Sequence, residues 1–213
     1  MKKIVIVCAG DFGRELVWLI EDINAKDPTY EILGLLDDDE NKNGEDINGY
    51  KCIGKIGLLS ELAKEQDICA VIATQSSQYR KKFVEENPDF HYWETLIHPS
   101  ANISSRAMIG KGCIICANCC ISVDSVIGNH CIFNIGTTIG HDCVIQDYVS
   151  LMSGTVISGH VSISEGAYCG SNSTVIPGRR IGKYSTVGAG SVVIRNVKDN
   201  ITVMGVPAKT VAF

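Results

Sequence analysis

The stretch Ile127-Gly128-Asn129-His130-Cys131-Ile132-Phe133-Asn134-Ile135-Gly136-Thr137-Thr138-Ile139-Gly140-His141-Asp142-Cys143-Val144-Ile145 returns an apolar residue at every sixth position, and the beat runs unbroken from Ile103 to Val193. A second column, two residues ahead of the first, holds mostly small side chains, among them Ala101, Ala107, Cys113, Ser125, Thr137, Ala167 and Ser191. Units this short cannot bury an apolar face alone and must stack on their neighbours. The hexads therefore predict a parallel β-helix.

The array fills nearly half of the 213 residues, so the residues before it form a unit of their own. The expected division is an α/β domain over residues 1–96 and a hexapeptide β-helix with a C-terminal tail over residues 97–213. The opening run Lys3 to Cys8 reads as a buried strand. It is followed by the turn Cys8-Ala9-Gly10-Asp11-Phe12-Gly13 and a helix carrying Leu16, Leu19, Ile20 and Ile23 on one face. Glu31 to Leu36 reads as a second strand ending in Asp37-Asp38-Asp39, about where a nucleotide fold places the acid that meets a ribose. A polar loop is expected over Glu40 to Lys55, then a helix near Leu58 to Gln66, a strand from Ile68 to Ala73 and a helix from Ser76 to Glu86. As a dinucleotide fingerprint the turn departs from pattern, because Cys8 and Asp11 replace glycines; a nucleotide-binding turn and an ordinary strand-to-helix turn both fit.

Residues 1–96 carry 11 Lys/Arg against 19 Asp/Glu, and residues 97–213 carry 8 against 5. That balance argues against nucleic acid as a partner and leaves the repeat free to hold an anionic small molecule. No run of apolar residues is long enough to span a membrane, and the first residues read as a strand rather than a leader, so a soluble cytoplasmic protein is expected. Of the ten cysteines, Cys113, Cys119, Cys131 and Cys143 fall in the small-residue column. There a thiol is a compact filler, which is a simpler reading of Cys113-x-x-Cys116-x-x-Cys119 than a metal site.

Because each hexad repeats one local geometry, the other occupants of a slot report where a side chain points. Three residues past the apolar column, eleven of sixteen positions are Gly, Asn or Asp. These residues tolerate positive φ, so the slot is a left-handed corner, and His130 and His160, which share it, have a structural explanation. His141 stands one position earlier, in a slot shared with Lys111, Asn129, Asp147, Glu165, Lys183 and Arg195. An outward imidazole followed by Asp142 could be a general base with its orienting carboxylate. Equally, Asp142 could be a corner residue and His141 an idle surface histidine.

The hexads, Phe133-Asn134 ahead of Gly140-His141-Asp142-Cys143, and the closing Gly205-Val206-Pro207-Ala208-Lys209 together resemble the bacterial sugar acetyltransferases of the sialic acid O-acetyltransferase and bacillosamine-pathway type, over nearly the whole chain. The resemblance implies an N-terminal nucleotide fold that holds a nucleotide-linked amino sugar and a left-handed β-helix that holds acetyl-CoA, assembled as a homotrimer. Carried over by residue, it makes His141 the base and Asp142 its tuning neighbour. Gly10, Asp11, Phe12, Gly13, Asp37, Asp38, Thr74 and Arg80 would form the sugar-nucleotide site. Ser171, Ala189, Pro207 and Lys209 would line the acetyl-CoA groove. Some relatives carry a second histidine, nine residues past the base, that contacts the acetyl carbonyl; here that position is Ser150, so the resemblance implies a contact that is either weaker or made by the hydroxyl. The implied reaction is N-acetylation of a 4-amino-4,6-dideoxyhexose for surface glycan synthesis, such as O-antigen or lipopolysaccharide, with no metal required. Sugar O-acetylation is the alternative. A β-helix metalloenzyme of the carbonic anhydrase type would need three metal-binding histidines, and a purely structural β-helix is the remaining rival.

Overall fold

Ile4, Val5, Ile6 and Val7 are all fully buried, as β-branched residues covered on both faces of a parallel sheet must be. In the computed structural model, which describes residues 1–211, they form β1 (Lys2–Val7) at the heart of the first of two compact units, Met1–Pro99. Next come α1 (Asp11–Lys26), β2 (Tyr30–Leu36), β3 (Asp46–Ile47), β4 (Tyr50–Gly54), α2 (Leu58–Glu65), β5 (Ile68–Ile72) and α3 (Ser77–Glu86). The strand order is β3-β4-β2-β1-β5, parallel throughout except for the β3–β4 hairpin. Helix α1 turns Leu16, Val17, Leu19 and Ile20 inward and leaves Trp18 half exposed, an amphipathic stripe of helical period.

The expected loop over Glu40 to Lys55 is mostly ordered structure. Glu40–Lys42 is a 3₁₀ turn capped by the Asp39 carboxylate, and β3 and β4 are joined through Asn48-Gly49, both at positive φ. Asn-Gly is the strongest short hairpin signal a sequence carries. The segment's polarity masked it, because only Ile47 and Cys52 of the hairpin are buried.

The second unit begins at Ser100. Its two-residue strands pair in parallel with the strand 18 residues on, as in Thr138↔Val156, Val144↔Ser162 and Ile132↔Ser150. Three hexads thus make one coil, and the strands collect into three sheets that form the faces of a prism. The first face includes Thr138–Ile139 and Val156–Ile157, the second Val144–Ile145 and Ser162–Ile163, and the third Ile132–Phe133, Ser150–Leu151 and Tyr168–Cys169. The apolar and small-residue columns both point inward: Ile115, Phe133, Leu151, Cys169 and Val187 are fully buried, as are Cys113, Cys131 and Cys143. Those three thiols each donate to a backbone carbonyl of the next coil, at 3.1–3.2 Å, and none of the ten cysteines forms a disulfide. Every residue of the corner slot from Gly112 to Gly190 has positive φ, His130, Asp142 and His160 included. A closing antiparallel pair, Thr202–Met204 with Lys209–Val211, continues the third face.

Candidate active site

In the first unit, β1, β2 and β5 run parallel, so Val7, Leu36 and Ile72 end at one edge of the sheet. A crevice at the carboxyl ends of parallel strands is where such sheets bind ligands. Here it is a cleft of about 700 Å³, lined by Gly10, Asp11, Phe12, Asp37, Asp38 and Thr74. Asp37 organises it. Its carboxylate accepts from the Ala9 N–H (2.7 Å), the Asp39 N–H (3.0 Å) and the Lys42 ammonium (3.0 Å). Burial pushes this carboxyl upward, but the hydrogen bonds from Asp39, Ala9 and Lys42 outweigh it and hold the group below its ordinary value. Asp38 accepts from the Ile56 N–H at 3.0 Å.

Two of the expected contacts lie behind the wall of the cleft. Arg80 is 1% exposed, and its guanidinium donates to the Thr74 carbonyl at 2.8 Å, which fixes the loop after β5. Gly13 is buried, and a Cβ there would lie 2.6 Å from the Cys8 carbonyl oxygen; the glycine lets α1 seat on the turn. Cys8, in place of the first glycine, still adopts the left-handed conformation (φ 77°), so the turn keeps its shape despite the changed residue. Burial pushes its thiol up to about 11, against a hydrogen bond with Tyr79. Sequence reasoning missed Cys8, Lys42 and Tyr79 as lining residues. Lys42 depends on the Asp39-capped turn and had no periodic signal, whereas Tyr79 could have been found in the first turn of a helix that faces the strand ends.

In the second unit, His141 and Asp142 sit at the corner between the first and second faces, both about half exposed. His141 Nδ1 lies 2.7 Å from Asp142 Oδ2. An ionised carboxylate can only accept, so the proton of this bond lies on Nδ1. The hydrogen bond from His141 draws the Asp142 carboxyl below its usual range. His160, expected to be only a corner residue, also reaches this group. One coil beyond Asp142, it packs edge-on against His141 with ring centroids 4.9 Å apart, and its Nε2 is 3.9 Å from Asp142 Oδ2. The 18-residue coil would have revealed this, since 142 and 160 differ by one full turn. Ligand atoms of His141, Asp142 and His160 lie within 4.8 Å of one another, the arrangement among the described residues that could accept a cation. His130, by contrast, is buried and stacked on Tyr148.

Ser150 does not join this corner. Nine residues are half a coil, so it lies on the third face, opposite the corner, and is fully buried. Ser171 and Ala189 do come together. They occupy adjacent coils at the corner between the third and first faces, where the Gly190 N–H donates to the Ser171 carbonyl at 2.8 Å. The closing segment docks two to three residues past Ala189: Gly205 N–H donates to Ser191 Oγ and Ala208 N–H to the Val192 carbonyl, and Pro207 and Lys209 stay exposed.

Residues 3–87 match the family model described as the PglD N-terminal domain. A sequence comparison with curated proteins gave no match. Among solved structures, the acetyltransferase domain of PglB from Neisseria gonorrhoeae, in complex with acetyl coenzyme A, is 30% identical with a TM-score of 0.90, covering 99% of this chain and 99% of that one. PerB from Caulobacter crescentus, in complex with CoA and GDP-perosamine, is 30% identical with a TM-score of 0.89, covering 100% of this chain and 98% of that one. WeeI from Acinetobacter baumannii is 28% identical with a TM-score of 0.88, covering 99% and 100%. A match this complete, over both the strand-end cleft and the hexapeptide prism, means that the chain belongs to the family of left-handed β-helix N-acetyltransferases that act on nucleotide-linked amino sugars.

Proposed function

We propose that this protein transfers the acetyl group of acetyl-CoA to the amine of a nucleotide-linked 4-amino-4,6-dideoxyhexose, with His141 as general base. The observation that carries the reading is the 2.7 Å contact between His141 Nδ1 and Asp142, which leaves Nε2 of a half-exposed imidazole to act as the base. Sugar amines are largely protonated at neutral pH, so one proton leaves to solvent before reaction. Nε2 takes the second as the nitrogen attacks the thioester carbon. Asp142 fixes the tautomer and stabilises the imidazolium. Collapse of the tetrahedral intermediate breaks the C–S bond, and the imidazolium returns its proton to the departing thiolate, leaving an amide and free CoA. With Ser150 buried across the prism, a backbone N–H is the better donor to the oxyanion.

The cleft around Asp37 and Asp38 is assigned to the nucleotide sugar, with Gly10, Asp11, Phe12 and Thr74 as its walls. The edge formed by Ser171, Ala189, Pro207 and Lys209 is assigned to acetyl-CoA. A homotrimer is supported by Met108, Val126 and Val144, which stack as an exposed apolar strip on the second face, beside the His141 corner. Exposed apolar strips of this kind mark where subunits of an oligomer meet. A cytoplasmic place in surface glycan synthesis completes the reading. Thiol release from acetyl-CoA, measured against UDP-, dTDP- and GDP-linked 4-amino sugars, tests it. A base-stable amide product is expected; a base-labile ester would favour O-acetylation, and no turnover with any member would overturn the assignment.

A further inference from the structure

We propose that Gly159 is a positioning residue for this reaction, because its missing side chain is the space in which the His141 imidazole lies. The inference rests on the reading of His141 as the base. Gly159 stands one coil beyond His141, 18 residues on, and a Cβ built on it would fall 2.6 Å from His141 Nε2, 2.7 Å from Cε1 and 3.1 Å from Cδ2. Its three nearest obstacles are thus all atoms of one ring. This sets it apart from Gly110, Gly128, Gly140, Gly170 and Gly182, where an added Cβ would strike backbone of the following coil. Nor does backbone conformation require the glycine, since Gly159 is absent from the positive-φ residues that populate the corner slot.

The neighbouring geometry makes the ring's place a defined one. Asp142 holds Nδ1 from one side at 2.7 Å, His160 packs edge-on at 4.9 Å from another, and the backbone beneath is fixed by the His160 N–H donating to the His141 carbonyl at 2.9 Å. On the side facing the next coil the ring meets Gly159, which has no side chain to meet it. Any larger residue there meets the far end of a side chain that is about half exposed and able to swing away. The fold therefore tolerates the substitution, while Nε2 leaves the position that Asp142 and His160 define. Displacements of about 1 Å at a reacting group can cost about 100-fold in rate.

The test is a double-mutant cycle of Gly159→Ala and His141→Ala, with thermal unfolding recorded for each variant. Gly159→Ala alone should lower kcat by about 10- to 100-fold, leave KM for both substrates within about threefold, and leave the unfolding temperature near that of the parent protein. In the His141→Ala background the same substitution should have no further effect on kcat, because no ring is left to displace. A full kcat for Gly159→Ala, or an equal loss in both backgrounds, would overturn the inference. If His141→Ala itself turns over normally, the general-base reading fails instead, and the two failures are separated by the single variants. Should Gly159→Ala unfold early, Gly159→Ser and the urea midpoint of each variant decide whether the lost rate follows lost structure, which would also overturn it.

Discussion

The strand-end cleft and the His141 corner reach their chemistry by opposite means. In the cleft the key carboxylate is enclosed: Asp37 has 15% of its side-chain surface exposed and is held by two backbone N–H groups and Lys42. At the corner the carboxylate is open, with the His141 imidazole hydrogen-bonded at 2.7 Å and His160 Nε2 3.9 Å away. An enclosed, multiply bonded charge contributes to folding, and its loss is felt as stability as well as binding. An open pair contributes little to stability and is free to exchange protons and admit a substrate. The difference teaches that one fold can fix a carboxylate by enclosure and leave another open at a corner, which is what the proposed division into a binding unit and a reacting unit requires.

The largest effect that could break this contrast is that of His141→Ala. It should lower kcat by about 10²- to 10⁴-fold while shifting stability by less than about 0.5 kcal/mol, as read by steady-state kinetics and thermal melts. Equal losses in activity and stability would place the corner with the cleft. Asp37→Ala should do the reverse: it should raise KM for the nucleotide sugar about tenfold, leave kcat nearly intact and cost on the order of 1–3 kcal/mol of stability.

Acid titration sharpens the same point. The Asp37 carboxyl is held below its ordinary value in the fold, so its stabilisation is complete above the unfolded carboxylate pKa of about 4. It is lost as pH falls through the lower folded value. The stability gap between the parent protein and Asp37→Ala should therefore be constant from pH 7 to about 5 and close towards pH 3; a gap that widened in acid would contradict the hydrogen-bond assignment. Smallest is Tyr79→Phe, which removes one hydroxyl from the lining and its hydrogen bond with Cys8. It should change KM for the nucleotide sugar by about threefold to tenfold, with no change in KM for acetyl-CoA.

The parts that were legible in the sequence share a reason. A hexad repeats one backbone geometry sixteen times, so the occupants of a slot vote on its environment, and the left-handed corner and the outward His141 followed from that vote. Asp37 and Asp38 were legible because strands ending at one sheet edge present whatever follows them. The Asn48-Gly49 hairpin was signalled but overlooked. Lys42 had no periodic neighbour to vote with it.

By itself, then, the sequence determined the β-helix, its inward columns and the adjacency of His141 and Asp142, since each depends on residues a few positions apart. Only the tertiary structure decided what stacks on what. The 18-residue coil lays Gly159 beneath the His141 ring and His160 beside Asp142, and it carries Ser150 to the opposite face. Hydrogen bonds between coils run perpendicular to the chain, so the contacts that shape the corner are invisible until the number of sides per turn is known.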